Sequence, residues 1–466
     1  MKYEREGLLL PEPNQKQLDQ KVFESFESIR AGMRATYEDL SPSDEKKQKA
    51  IELWPLGQDA DLSVDKLDAS ALFAKQQELK DWKKKLIDDE TVNPEIKQLY
   101  RWRINEDIAS INMLIASRAD DMRSFRFWNK FIYGRPDENI YKAALDWVAV
   151  DAEKIISTDG QKPNAIKAAQ DVIDMLDGKR GNLDLLVPDK NVFEIVKVDH
   201  KRALGYYSLL LAGVTIPEGK VTNAEGDPII EYVLKNNLKS DYKIAEASGT
   251  SWSVSHKDQS IERPDKYNLP PKRFVGLGLG HEIGSHLLEK VNGKRGPLAL
   301  ASSGLDRYEL GNEGRAVIRE QVVYETFDEF GKQVRWRDIM RRHIAISYAC
   351  GVGEDKPKRS SEVYEFMNKI DTMYQMKLSP DEPDVVKEKA SKKTTDLLLR
   401  VLKGTDGAGG AYLKDKVYLE GVVANWLTAA QKGPSAISEG DLGKFDINNP
   451  RHITALQKMN LLPNNE

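Results

Sequence analysis

Apolar positions recur at three- and four-residue intervals through most of the first 185 residues, the spacing of helices with one buried face. Leu18, Val22, Phe23, Phe26 and Ile29 form one such series, and Leu72, Phe73, Leu79, Trp82 and Leu86 form another. The stretch 141–176 continues the pattern, broken at Asp159-Gly160 and again near Pro163. Just upstream, Trp102, Phe125, Phe127, Trp128, Phe131 and Tyr133 predict a packed helical layer. From Val187 the texture changes. Segment 217–227 is turn-rich and 228–238 reads as a short helix. Segments 242–246, 251–256 and 259–262, separated by Ser-Gly-Thr and Lys-Asp, predict strands and tight turns. Pro264, Pro270 and Pro271 close the strand region, and a new helix is predicted to begin near Phe274. Helices dominate the rest, apart from a glycine-rich loop at 404–410. The expected class is α+β, mostly helical, with strands confined to roughly 185–265. Two regions are expected, a helical N-terminal one over 1–185 and a second over 186–466.

Composition narrows the function classes. The 466 residues are 40% hydrophobic and 31% charged, as in a soluble globular protein with enough material for a core. Seventy basic against 74 acidic residues leave a net charge of −4, which argues against a general nucleic-acid binder. Arg123, Arg126 and Lys130 interleave with the aromatics, and they read as long side chains snorkelling around a core helix. Cys350 is the single cysteine, so neither an internal disulfide nor a cysteine-based zinc site can form. The start MKYEREGLLLPEPNQ does not read as a signal peptide, and no apolar run approaches the roughly 20 residues of a membrane span. A cytoplasmic protein with no nucleic-acid or membrane partner is expected.

The chemistry gathers in FVGLGLGHEIGSHLLEKVNG, residues 274–293. His281 and His286 stand five apart, with Glu282 beside the first. Two histidines four apart turn by about 40° on a regular helix and share a metal; five apart they diverge by about 140°. A π-bulge absorbs the extra residue and restores the shared face, and Gly284 lies between the histidines, where such a distortion costs least. A catalytic zinc takes three protein ligands and keeps one open position. The segment ELGNEGRAVIREQVVYETFDEF predicts a second helix starting near Asn312, with Glu313 in its first turn and Ala316, Val317, Val323 and Phe327 on its buried side. Glu313 completes a His/His/Glu set, and Glu320, two turns on, could hold a ligand histidine from behind. The fold class then reads as a small β-sheet next to a zincin-like active-site helix, with an extra N-terminal helical region, and 186–466 as the catalytic domain.

HEIGSH followed by Asn292-Gly293, Gly304-Leu305 and NEGRA resembles the microtubule-associated tyrosine carboxypeptidase family, including its bacterial relatives with a Gln-Glu-Gly-Leu-Ala motif. The family's helix reads His-Glu-Ile-Gly-Thr-His. His281, Glu282, Ile283, Gly284 and His286 match it, and Ser285 keeps the hydroxyl of the usual Thr. Glu313, Gly314 and Ala316 match the second motif, whose Glu is the third zinc ligand in the family. Asn312 stands where Gln is usual, Arg315 where Leu is usual and Glu289 where an Arg is expected. The likeness covers about 225–466 and includes RVLKGTDGAGGAYLKDKVYLEG at 400–421, similar to the family's Arg…Gly…Lys-Asp…Tyr…Gly pattern.

These parts imply a zinc-dependent metallopeptidase acting on the C-terminal tail of a peptide or protein. Glu282 is the expected general base. Tyr418 is the first candidate for the donor that meets the oxyanion, with Tyr324 and His343 behind it. Arg400, then Lys414, are the candidates for holding a terminal carboxylate. Segment 251–256 is a candidate edge strand on which an extended substrate would lie. Two other classes stay open on the residues alone: a zinc hydrolase of another cut (aminopeptidase, endopeptidase or amidase), and a non-catalytic binding protein.

Overall fold

The computed structural model of the chain describes residues 16–31, 40–65, 69–202, 213–247, 252–379 and 382–463. With 67% of the chain helical and 4% in strands, the class is the mostly helical α+β one expected. Local sequence explains where the long N-terminal helices start. Asn93 accepts from the backbone N–H groups of Glu95 and Ile96, with Pro94 at the first helical position, and so opens Pro94–Arg118. Asp137 accepts from Ile140 N–H and opens Glu138–Ser157. That helix ends just before Asp159-Gly160, where Gly160 takes a φ of 77°, and Pro163–Leu176 restarts the chain as expected.

Apolar stripes from both ends of the chain meet in one place. A single cluster of buried side chains runs from Phe26 and Leu79 through Leu145 and Ile155 to Trp336, Ile370, Leu398, Trp426 and Leu462. Helices on either side of residue 185 therefore share one core. Each large apolar side chain withdrawn there contributes about 1.5–3 kcal/mol. The two N-terminal series fall on the predicted faces, except that Leu18 and Phe73 are more than half exposed. They lie at the margin of their stripes, which a single packed face does not cover.

The strands form two small sheets. Strands β1 (Val221–Thr222) and β5 (Asn268–Leu269) pair antiparallel. Strands β2 (Lys243–Ala247), β3 (Ser253–Ser255) and β4 (Ser260–Pro264) form the other in the order β2-β4-β3, with β2 parallel and β3 antiparallel to β4. β3 is thus an edge strand, as expected; Ser251, included in the expected segment, lies outside the described residues. β5 extends the strand region past the expected limit of 265, because its partner β1 comes from far upstream and leaves no local signal. Between the sheets, Asn223–Tyr232 is the short helix predicted around 228–238, and it continues as a π-helical turn through Val233–Asn237. A second cluster, with Val221, Trp252, Ile261, Phe274, Leu279, Ile283 and Leu287, packs these strands against the helix that bears the histidines.

On its other side that helix meets Glu309–Gln321, which in turn crosses Lys416–Lys432 at a pair of glycines. A Cβ on Gly314 would overlap the Gly421 carbonyl carbon, and one on Gly421 would overlap the Leu310 carbonyl oxygen. Asn425 donates to the Gly311 carbonyl at 3.0 Å, and the Trp426 indole N–H donates to Gln321 at 2.9 Å. The missing side chains let two backbones touch and so fix the height of Glu313. Gly314→Ala should therefore lower stability by at least the roughly 1–3 kcal/mol of an overpacked core. Gly219→Ala, whose added methyl meets nothing within 4 Å, should change little. Denaturant titration of both variants tests this, and equal midpoints would show that the crossing has slack.

Candidate metal centre

The segment 274–293 does not form a regular helix with one bulge. Phe274–Leu287 is π-helical over its 14 residues and passes into a regular helix at Leu288–Arg295. In a π-helix the N–H bonds the carbonyl five residues back, so residues five apart sit about one turn apart. Leu288 N–H bonding Ile283 C=O is one such link. The five-residue spacing of His281 and His286 thereby becomes a shared face, with ring centroids 5.0 Å apart and planes at 80°.

Neighbours hold this wide backbone in place. Ser285 donates its hydroxyl to the Gly280 carbonyl at 3.1 Å. Arg319, fully buried, donates to the Gly284 carbonyl and, at 3.0 Å, to Ser285 Oγ, and it pairs with Asp441. Gly276 lies against the backbone of Glu320, and Gly278 against the Trp252 ring. A Cβ at Gly278 would crowd the Trp252 ring, whereas one at Gly276 would rest in ordinary contact with Glu320.

The helix Glu309–Gln321 begins three residues earlier than expected, so Glu313 stands in its second turn. It also ends before Val323 and Phe327, which pack from the segment beyond it. Glu313 Oε2 is buried, lies 3.6 Å from His281 Nε2 and 3.6 Å from His286 Nε2, and makes no hydrogen bond. Ligand atoms of the three residues all lie within 4.8 Å of one another, so they could hold a metal ion. A tetrahedral ion bonded at about 2.0–2.2 Å sets its ligand atoms about 3.3–3.6 Å apart, and the two carboxylate–imidazole separations fit.

Charge points the same way. Glu320 Oε1 stands 2.7 Å from His281 Nδ1, the backing role anticipated for it, and Arg335 approaches the same carboxylate at 3.3 Å. With neutral imidazoles, Glu282, Glu313 and Glu320 outnumber the Arg335 guanidinium by two charges, which a divalent cation balances. Without a cation the imidazole takes up the imbalance. Burial pushes His281 down, but Glu320, Glu313 and Glu282 outweigh it and raise the ring to about 10. Burial likewise works against the Glu313 carboxylate, and the two histidines reverse it, holding it well below the usual range. Glu282 differs. Its Oε1 is 4.0 Å from His281 Nε2, it lies outside the ligand group, and burial raises its carboxyl above the ordinary value.

Tyr418 stands in the first turn of Lys416–Lys432, its ring flanked by the guanidinium carbons of Arg335 at 5.7 Å and Arg342 at 5.6 Å. Burial, then the charge of Glu313, keep its phenol protonated, so it is a donor at neutral pH. Arg400 pairs with Asp415 through two nitrogens, one at 3.0 Å, and Lys414 pairs with Glu309 at 2.9 Å. His343 is fully buried between Glu420, at 3.1 Å, and Ser347, which gives it a structural setting. Tyr324 lines a small cavity with Glu320 and Arg335. Sequence reasoning missed Arg319, Arg335, Arg342 and Asp441, none of which sits in a motif with metal-site spacing. A large cavity of 1160 Å³, lined by Asp19, Trp82, Leu86 and Lys294 among others, lies elsewhere and contains none of the three candidate ligands. The chain matches no family model, no curated protein and no solved structure.

A ring raised to about 10 in the folded metal-free protein, against 6.5 unfolded, adds stability that is complete below pH 6.5 and lost as pH climbs through 10. Metal binding needs the neutral ring and strengthens over the same range. Thermal melts of chelator-treated and metal-loaded protein should therefore separate progressively from pH 6.5 to 10, and His281→Ala should abolish the separation. Parallel curves would remove His281 from the ligand set.

Proposed function

We propose that the protein is a zinc-dependent metallopeptidase, specifically a carboxypeptidase that releases C-terminal residues from peptide or protein substrates. The observation that carries this reading is the convergence of His281, His286 and Glu313, with Glu282 adjacent yet outside the group. Two histidines and a glutamate make the donor set of hydrolytic zinc sites. When bound, zinc supplies a Lewis acid that activates water at neutral pH. Glu282 accepts the proton of the attacking water and passes it to the leaving amine, a task suited by a carboxyl whose pKa burial has raised. The Tyr418 phenol donates to the carbonyl oxygen as charge develops on it. An extended peptide adds to the side of β3 away from β4, so main-chain bonds position it with little demand on sequence.

The resemblance to the tyrosine carboxypeptidase family gains support from the positions that depart from it. Glu289, fully buried, pairs with Arg315 and accepts from Asn312. Two of the departures thus meet the third, Glu289. They read as one coordinated change in how two helices are tied together, leaving the ligands in place.

Glu282→Gln keeps side-chain size and removes the base. Zinc content should stay at the wild-type level while hydrolysis of unstructured peptides falls by roughly 10²–10⁴-fold. Elemental analysis and release of C-terminal residues measure the two. Undiminished turnover with zinc bound would shift the base to another carboxylate, and loss of zinc would make Glu282 a ligand.

A further inference from the structure

Among the described residues, four cations near this site face a carboxylate. Arg335 approaches Glu320 at 3.3 Å, Arg342 lies 3.9 Å from Asp415, Arg400 pairs with Asp415, and Lys414 pairs with Glu309. Lys444 is the exception. It is 6% exposed, yet among the described residues no carboxylate oxygen comes within 4.0 Å of its ammonium. Its contacts are His256 Nε2 at 2.6 Å and the face of Tyr308 at 5.7 Å.

That arrangement has a direction. An ammonium only donates, so His256 Nε2 accepts, its proton sits on Nδ1, and Nδ1–H donates to the Tyr242 hydroxyl at 2.9 Å. Tyr242 and His256 therefore orient Lys444 while using one of its three N–H groups. The backbone is equally well held: Lys444 N–H donates to the Ala301 carbonyl at 2.7 Å, and its own carbonyl accepts from Leu305 at 2.9 Å. His256 directly follows β3, the edge strand that packs on the histidine-bearing helix. Tyr308, whose face meets the ammonium, directly precedes the helix that bears Glu313, so the pair is tied to both helices that carry candidate ligands. A buried ammonium with unspent donors and no carboxylate in contact is costly until an anion meets it. Burial, with Lys290 adding to it, lowers the amine to about 8, so it remains charged at neutral pH.

We propose that Lys444, oriented by His256 and Tyr242, receives a carboxylate of the peptide substrate at the end of β3. This rests on the peptidase reading and names the residue that selects for acidic or free-acid substrates. Arg400 and Lys414, the candidates suggested by sequence, already have carboxylate partners.

The test measures binding to zinc-loaded Glu282→Gln protein by titration calorimetry. Its ligands are one peptide as the free acid and as the C-terminal amide, and the same amide with Asp or Asn near its end. The carboxylate member of one pair should bind at least about tenfold more tightly than its neutral counterpart, as a charge-assisted bond implies. The pair that discriminates tells whether the carboxylate comes from the chain terminus or from a side chain. Adding Lys444→Met should bring that ratio to about one, and Tyr242→Phe, which only releases His256, should reduce it partly. Should Lys444→Met fail to fold, Lys444→Arg and Tyr242→Phe decide, since an unchanged ratio in both overturns the assignment. So does a ratio lost in Arg400→Met and kept in Lys444→Met, or the absence of discrimination in either pair. Wild-type protein that hydrolyses the peptides while any of these holds refutes Lys444 alone. Zinc-loaded wild type that cleaves none of them refutes the peptidase reading itself.

Discussion

The five-residue spacing of the histidines is the constraint to which the rest of the site answers. On a regular helix their rings would point apart, so the backbone must widen, and a widened helix needs outside support. Glu309–Gln321 provides much of it along one face. Arg319 takes up the Gly284 carbonyl, Arg315 ties to Glu289 three residues past His286, and Glu320 meets His281 from behind. The same helix carries Glu313. The element that carries the third candidate ligand therefore also shapes the helix that carries the other two.

Such a bond pattern is costly to perturb. Arg315, Arg319 and Glu289 are all fully buried, and removing one partner of a buried pair typically costs about 3–5 kcal/mol because the other charge is stranded. That asymmetry accounts for a site in which charged side chains, rather than apolar ones, hold two helices in register.

The N-terminal helices belong to the same structure energetically. Their apolar stripes share one core with the helices Val334–Ala349, Ser360–Leu378, Pro383–Val401 and Lys416–Lys432, and the last of these bears Tyr418 and abuts Gly314. Asp19 makes the link specific, accepting from Tyr100 at 2.7 Å and from the Ala299 and Leu300 backbones at 2.7 and 3.0 Å. The segment it anchors leads from the histidine-bearing helix to the glutamate-bearing one. The helical layer thus bears on the geometry of the candidate ligands through packing.

Local pattern was enough to read the helices of the first half, the three strands of the larger sheet but not β1 and β5, the break at Asp159-Gly160, the three candidate ligands and the backing position of Glu320, because each is signalled by spacing or by residue type. It could also show that the histidine spacing required a distorted helix. It could not show how far the distortion runs, since that depends on Arg319, Asp441 and Trp252 arriving from elsewhere in the chain. Nor could it tell paired cations from unpaired ones. Arg400, Lys414 and Lys444 look alike as residues, and only the fold places Asp415 and Glu309 against the first two while giving the third a neutral imidazole. Residue spacing determines which side chains can share a face; whether a charge arrives with its counter-charge is settled by contacts between distant segments, and those exist only once the chain has packed.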